Sequence, residues 1–467
     1  MVTRKANSRS IRYEEYASSG ESSNNLSIFR HARPKKLETM PESATMQYSH
    51  RSNDAYLEAF DTARVGQITG EQKNSTITLP STSSKLGTLS ERDWSGSWIR
   101  GPKDPEGSLS SVSDRPLTCL SLSDSQSHVV VGSTDHALYA IPVAHNGDRN
   151  RRGKGFKKLY SKQCGHSEWV TGALYLPDDR IVSAAMDSRL CLWNASGTKC
   201  EDLVGHAGSI SLIKDLARES SCVFSAGYDK TVRVWNVANQ FRGKTREMGC
   251  IKASSAPILD ADTLNAQTIT VGDRDGNVRV IDLERGTVVQ AYSNAHRGHT
   301  TSVLGSRDDI GNGIYSGGQD GIVNVWDCRQ KKCLASLELH NDKKKGKSGA
   351  VGFLAEPSHL GGDNTLITAG ADGTINVLDK RQSHKVMHKW TEHRDFIYSL
   401  HVSHQLCFSG DGRGMLHVHD WKNGNLLYGI GANRAAIRAI TTSDDALVVA
   451  GDDGSVLTYQ MDGDSLH

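Results

Sequence analysis

No stretch of this 467-residue chain approaches 18 consecutive apolar residues, and the opening Met1-Val-Thr-Arg-Lys-Ala-Asn-Ser-Arg-Ser10 has no apolar core. The expectation is a chain with neither a membrane-spanning helix nor a secretory leader. A basic, serine-bearing start resembles a transit peptide only faintly, because Glu14 and Glu15 follow at once. Charge of one sign is also missing. Lys and Arg total 55 against 53 Asp and Glu, a net charge of +2 that supplies no global drive toward nucleic acid or a membrane. The nine cysteines include no Cys-x-x-Cys, the nearest approach being Cys328-Arg-Gln-Lys-Lys-Cys333. An odd number without a framework predicts reduced thiols in an intracellular setting, cytoplasmic or nuclear. Apolar content is modest at 37%, whereas glycine is plentiful at 45 residues. That combination fits many short strands joined by tight turns.

What the chain does have is a repeat. A small residue, an acidic turn and an apolar strand recur in Ser183-Ala-Ala-Met-Asp187-Ser-Arg-Leu-Cys-Leu-Trp193, Ser225-Ala-Gly-Tyr-Asp229-Lys-Thr-Val-Arg-Val-Trp235 and Ser316-Gly-Gly-Gln-Asp320-Gly-Ile-Val-Asn-Val-Trp326. Fainter copies end at Ile141, Ile281, Leu378, His419 and Tyr459, with steps of 52, 42, 46, 45, 52, 41 and 40 residues between successive end points. A period of this size with four short strands per unit is the signature of a closed β-propeller. Eight copies predict eight blades, or seven if the copy ending at Ile141 or His419 is not a full blade. After Tyr459 only eight residues remain. The outer strand of the last blade is therefore expected from between Trp98 and Val112, a clasp that leaves no long open edge. Residues 1–92 are different material, Ser-rich and aperiodic, and read as a disordered arm ahead of a propeller over 93–467. Within the arm, Arg30-His-Ala-Arg33-Pro-Lys35-Lys36 is a basic cluster, and Tyr56, Leu57 and Phe60 fall near helical spacing.

With Gly165-His166, Gly205-His206 and Gly298-His299 ahead of the three clearest copies, the chain resembles the WD-repeat β-propeller family over roughly residues 95–460. The resemblance implies structural hydrogen-bond tetrads: His166, Ser183, Asp187 and Trp193; His206, Ser225, Asp229 and Trp235; His299, Ser316, Asp320 and Trp326. Ser, His and Asp thus occur together three times in one register, which marks scaffold rather than a catalytic triad. No catalytic residue is expected.

Other chemistry-bearing patterns fare no better. Seven histidines lie between His384 and His419, with His417 and His419 on one strand face, but no Cys or carboxylate set completes a metal site. Gly346-Lys-Ser348 lacks the upstream glycine of a phosphate loop, and Asp273-Arg-Asp275-Gly-Asn277 reads as a turn rather than a calcium loop. Neither metal nor cofactor is expected. Two basic insertions, around Arg149–Lys158 and Lys343–Lys347, fall in connections that the resemblance places on opposite faces, with few aromatics interleaved, which argues against a nucleic-acid track.

The departures from the repeat are the functional clues. Family propellers bind peptides on the face carrying the turn Asp and the start of the first strand. Trp169, Met186, Tyr228, Arg274, Gln319, Arg394, Phe396 and Arg434 fall at those positions and combine aromatic with cationic chemistry. The function expected is a non-enzymatic scaffold assembling a multiprotein complex, its partners being proteins with acidic or phosphorylated segments. Nothing points to a homo-oligomer. The alternative rests on tandem boxes, Trp326-Asp327-Cys-Arg329 and Leu378-Asp379-Lys-Arg381, which resemble those of substrate receptors of cullin–RING ubiquitin ligases.

Overall fold

In Thr231-Val-Arg-Val-Trp-Asn236 the residues Val232, Val234 and Trp235 are buried while Thr231 and Arg233 stay partly open. Alternation with period two requires an extended backbone packed on one face. The computed structural model describes residues 97–461 apart from 144–154, 162–163, 217–220, 240–242, 244, 266, 307–312, 343–346 and 358–363. The arm over 1–92, with its basic cluster and its Tyr56–Phe60 segment, and the centres of both basic insertions lie outside the described residues.

Among the described residues the strands form eight four-stranded antiparallel sheets and one two-stranded ribbon. Blades 1 to 7 cover residues 117–159, 170–204, 210–252, 258–292, 300–338, 351–390 and 397–431. Blade 8 takes Ile437–Thr442, Ala446–Gly451 and Ser455–Gln460, and its outer strand is Ser108–Ser111, paired Ser108↔Thr458 through Ser111↔Ser455. The expected clasp is therefore present, and the propeller has eight blades. Trp98, where the clasp was expected to begin, instead lies in a single helical turn, Ser97–Arg100. It is 5% exposed and meets Phe408 edge-on at 6.1 Å, which fastens the incoming chain to blade 7.

The first strand of each blade packs beside the first strand of the next, and Leu117–Leu122 of blade 1 packs beside Ile437–Thr442 of blade 8. Side-chain hydroxyls tie neighbouring inner strands together. Thr118 Oγ1 donates to Val170 O at 2.7 Å, Ser211 Oγ to Ile258 O at 2.8 Å, Thr301 Oγ1 to Val351 O at 2.6 Å and Ser399 Oγ to Ile437 O at 2.9 Å. Second strands are sandwiched on both faces and read as continuous apolar runs, as in Leu406–Asp411, where all six residues are buried. Fourth strands are edges, and Cys333–Glu338 alternates between exposed and half-buried residues.

The core is a set of seams between blades rather than one central mass. Val129, Val131, Tyr139 and Ile141 of blade 1 interlock with Ala446, Val448, Ala450 and Val456 of blade 8, closing the ring with apolar contact. All eight repeat end points, from Ile141 to Tyr459, are 6% exposed or less. The residue after each turn Asp, or its equivalent, adopts positive φ, and Gly414 shows why glycine is favoured there. Its φ is +80°, and a Cβ would lie 1.8 Å from the Asn433 carbonyl oxygen.

Candidate functional site: the rim of the blade turns

Two of the tetrads that the resemblance implies have their hydrogen bonds in place. His166 Nε2 lies 2.8 Å from Ser183 Oγ and its Nδ1 3.2 Å from Asp187 Oδ2, while Trp193 Nε1 donates to the same Ser183 Oγ at 3.0 Å. In blade 3 the distances are 2.7 Å for His206 to Ser225, 2.8 Å for His206 to Asp229 and 2.8 Å for Trp235 to Ser225. Burial works against a charge on Asp187, yet the His166 hydrogen bond and the Ser167 and Arg189 backbone N–H groups hold its carboxyl far below the usual range. Both serine hydroxyls are fully buried, so each satisfies a tryptophan and a histidine rather than meeting a substrate.

The third tetrad corrects the sequence reading. Ser316 and Asp320 are bound not by His299 but by His296, with Nε2 2.8 Å from Ser316 Oγ and Nδ1 3.3 Å from Asp320 Oδ1; Trp326 Nε1 completes the set at 2.9 Å. The physical reason is distance along the chain to the blade. His166, His206 and His296 each stand four residues before the first strand of their blade, at Val170, Ile210 and Thr300. His299 adjoins its strand and cannot turn back into the seam; its Nδ1 faces the Arg274 carbonyl of blade 4.

Two further sets escaped the sequence reading. His340, Thr368 and Asp372 serve blade 6, with His340 2.9 Å from each partner. Leu378 replaces the tryptophan there, which hides the set, although the Thr368-to-Asp372 spacing matches Ser183 to Asp187. Blade 7 uses His393 with Ser409 at 2.8 Å and Asp411 at 3.1 Å. His419 fills its tryptophan slot, stacked 4.0 Å from the Trp390 ring, and His417 packs 4.3 Å from His393. In blade 4 the seam is held by Ser254 and Asp273 at 2.8 Å, and Asp273 also accepts from the backbone of Asp275 and Asn277 and from Arg279. That carboxylate is thus a turn clamp.

Just outside the tetrads runs a ring of paired positions. In every blade the residue before the turn Asp, or its equivalent, donates its N–H to the carbonyl of the residue preceding the first strand. Met186 donates to Trp169, Tyr228 to Ser209, Arg274 to Pro257 and Gln319 to His299, all at 2.8–2.9 Å. Ala371 to Ala350, Gly412 to Phe396, Asp452 to Ala436 and Thr134 to Pro116 repeat the bond at 2.8–3.0 Å. The eight bonds fix one face of the propeller as a rigid rim. Trp169 on that rim is 44% exposed, Tyr228 and Phe396 are half-buried, and Arg274, Arg394 and Arg434 are exposed.

Moving the tetrad to His296 adds a residue the sequence reading missed. Arg297 now follows a tetrad residue as Arg394 follows His393 and Arg434 follows Asn433, and it too is exposed. Its backbone N–H donates to Asp320 at 2.8 Å, as that of Arg434 does to Asp453 at 2.9 Å. Among the described residues no carboxylate pairs with the side chain of Arg274, Arg297, Arg394 or Arg434. Neighbouring Asp452 is committed to Arg438 by bonds of 2.7 and 2.8 Å. The rim therefore carries aromatics on blades 2, 3 and 7 and guanidinium groups at the turns of blades 4, 5, 7 and 8.

The two Asp-x-Arg boxes end the third strands of blades 5 and 6. Each arginine folds onto its own aspartate: Arg329 Nε and Nη2 lie 2.9 and 2.6 Å from Asp327, and Arg381 Nε and Nη2 lie 3.1 and 3.2 Å from Asp379. The aspartates are shielded while the guanidinium groups stay 63% and 69% exposed.

Eight blades, the His–Ser/Thr–Asp hydrogen bonds of five of them and the clasp define a repeat propeller, and the comparisons agree. Residues 157–194 and 197–236 match the family described as WD domain, G-beta repeat, and residues 253–462 match the nucleolar protein 10-like, N-terminal domain family. The chain is similar to autophagy-related protein 16 of Arabidopsis thaliana, at 26% identity over 52% of this chain and 44% of that protein. It is similar to coronin-2A of Homo sapiens at 26% identity over 51% of this chain and 46% of that protein. The chain thus spans just under half the length of these curated relatives. Sqt1 of Saccharomyces cerevisiae shares the fold, with a TM-score of 0.66 at 12% identity over 77% of this chain and 99% of that structure. The chain is an eight-bladed β-propeller that carries matched WD repeats over residues 157–194 and 197–236.

Proposed function

We propose that this protein is a non-enzymatic interaction scaffold that grips an acidic or phosphorylated segment of a partner protein on the blade-turn rim. The supporting observation is the juxtaposition of Trp169, Tyr228 and Phe396 with Arg274, Arg297, Arg394 and Arg434 on a face locked by eight backbone bonds. Aromatic and arginine side chains supply most of the energy at protein interfaces, and a guanidinium can bind a carboxylate or phosphate through two N–H groups. A rim already rigid before binding loses little order when a partner arrives. The tetrad serines are sealed within the seams, which supports a binding rather than a catalytic role. The match to a nucleolar protein 10-like domain favours a nuclear, and within it a nucleolar, setting.

The second reading, docking on a ligase adaptor, draws on the matched exposure of Arg329 and Arg381 at equivalent positions of adjacent blades. Both are tested by affinity purification of the full chain from its native cells, beside Trp169→Ala/Arg274→Glu/Arg297→Glu and beside Arg329→Ala/Arg381→Ala. Loss of the co-purifying proteins in the rim variant alone supports the scaffold. Recovery of cullin-ligase subunits, lost only in the second variant, replaces it with the receptor.

A further inference from the structure

The connection entering blade 2 brings Cys164 against Cys200, the first residue of that blade's fourth strand, Cys200–Val204. Their sulfurs stand 2.6 Å apart, and the Cys200 N–H lies 2.7 Å from Cys164 Sγ. Both are free thiols and both are half-buried. A third thiol, the buried Cys191, lies across the strand pair, its sulfur 3.5 Å from Asp202 Oδ1. We propose that Cys164 and Cys200 form an oxidative modification site, which peroxide converts into a disulfide fastening blade 2 to its incoming connection.

The cluster invites comparison with a metal centre, since donor atoms of Cys191, Cys200 and Asp202 lie within 4.8 Å of one another. Two thiolates on a tetrahedral zinc, each about 2.3 Å from the ion, stand roughly 3.8 Å apart. Cys164 and Cys200 are far closer than that, within a small movement of bond formation. Asp202 is also engaged, accepting from Arg189 Nη1 at 2.9 Å. The spacing suits a bond between sulfurs better than a shared ion.

Proton placement supports the same chemistry. Hydrogen bonding from Cys191, reinforced by Cys164, outweighs burial and pulls the Cys200 thiol down to about 6. Burial and the neighbouring Cys200 push Cys164 up to about 11. The directions of these shifts favour Cys200 as the thiolate and Cys164 as the protonated partner. The Cys200 thiolate attacks one oxygen of hydrogen peroxide, the O–O bond breaks, and the hydroxide leaves as water after taking a proton. The resulting Cys200 sulfenic acid is attacked by Cys164 sulfur, whose proton leaves with the displaced hydroxide as a second water. Two thiols and one peroxide become one disulfide and two waters. The bond closes a loop over nearly the whole of blade 2, from two residues before His166 to the fourth strand. No pair of cysteines close in sequence announces this site, because Cys164 and Cys200 meet only when the outer strand packs beside the incoming connection.

The test treats the reduced full chain with hydrogen peroxide, alkylates remaining thiols, and reads intact mass and peptide maps. The proposal predicts loss of two hydrogens, a Cys164–Cys200 linked peptide as the main product, and reversal by dithiothreitol. Cys164→Ser should leave a Cys200 sulfenic acid that dimedone traps, whereas Cys200→Ser should abolish both products. The more exposed Cys250 and Cys333 should remain alkylatable throughout. Circular dichroism of the reduced variants confirms that each folds. A Cys191–Cys200 link, oxidation of Cys250 or Cys333 ahead of Cys200, or co-purified zinc that shields Cys200 from peroxide would overturn the proposal.

Discussion

Replacing His296 with alanine should destabilise the propeller far more than replacing His299, three residues away. The His296 side chain is fully buried and bridges Ser316 and Asp320 at 2.8 and 3.3 Å. Loss of the bond to the serine costs about 1 kcal/mol, and loss of the bond to the charged carboxylate about 1.5 kcal/mol. The space left by a buried imidazole adds roughly 1–2 kcal/mol. Ser316 keeps the Trp326 N–H and Asp320 Oδ1 keeps the Ile322 N–H, so neither oxygen is stranded outright. The expected total is about 4 kcal/mol, a large share of the 5–15 kcal/mol typical of folded domains. His299 is half-buried and its ring touches one carbonyl, so His299→Ala should cost about 1 kcal/mol or less. Urea denaturation followed by tryptophan fluorescence gives both midpoints. Equal losses, or a larger loss for His299→Ala, would refute the assignment of the blade 5 tetrad.

Two further outcomes follow from the same geometry. A chain beginning at residue 97 should elute as a monomer, whereas one beginning at residue 113 loses Ser108–Ser111, bares the Ser455–Gln460 edge and should self-associate on size-exclusion chromatography. Acid should weaken the fold below neutrality, because burial pushes the His401 imidazole down to about 4 and that of His417 down to about 3. Each folded pKa lies below the ordinary value of 6.5, so the stability is complete above 6.5 and is lost as pH falls toward 4 and 3. His401→Gln should flatten the dependence of unfolding free energy on pH between 6.5 and 4, as measured by urea titrations across that range.

The eight-fold architecture was legible because its signals are local and repeated. Asp at the turn and a bulky apolar residue six positions later recur in Asp187–Trp193, Asp229–Trp235 and Asp320–Trp326, and even Leu378 and Tyr459 keep the slot. The clasp was legible from arithmetic, since the eight residues given after Tyr459 are too few for a connection and an outer strand. In blade 5 the Gly298-His299 pair misleads, because the tetrad histidine is His296, three residues earlier. The constant quantity is the four-residue reach from the tetrad residue to the first strand, which His393 to Ile397 and Asn433 to Ile437 also obey. That reach would have selected His296, and with it the rim residue Arg297. Blade 6 was hidden by the inserted ribbon of Asn341–Asp342 and Lys347–Ser348, which separates His340 from Val351. The Asp-x-Arg boxes were visible as a pattern, but their ion pairs depend on side-chain rotamers that sequence does not display.

The rim is tested most directly by site-specific photo-crosslinking in native cells, with a photoreactive phenylalanine at position 228 of the rim or at position 334. Leu334 is 52% exposed on the fourth strand of blade 5, so it reports a more accessible surface away from the rim. The account predicts a discrete partner adduct from position 228, lost when Arg274→Glu and Arg297→Glu are introduced, and no matching adduct from position 334. An adduct formed from position 334 alone, or one from position 228 that persists after both charge reversals, would contradict it.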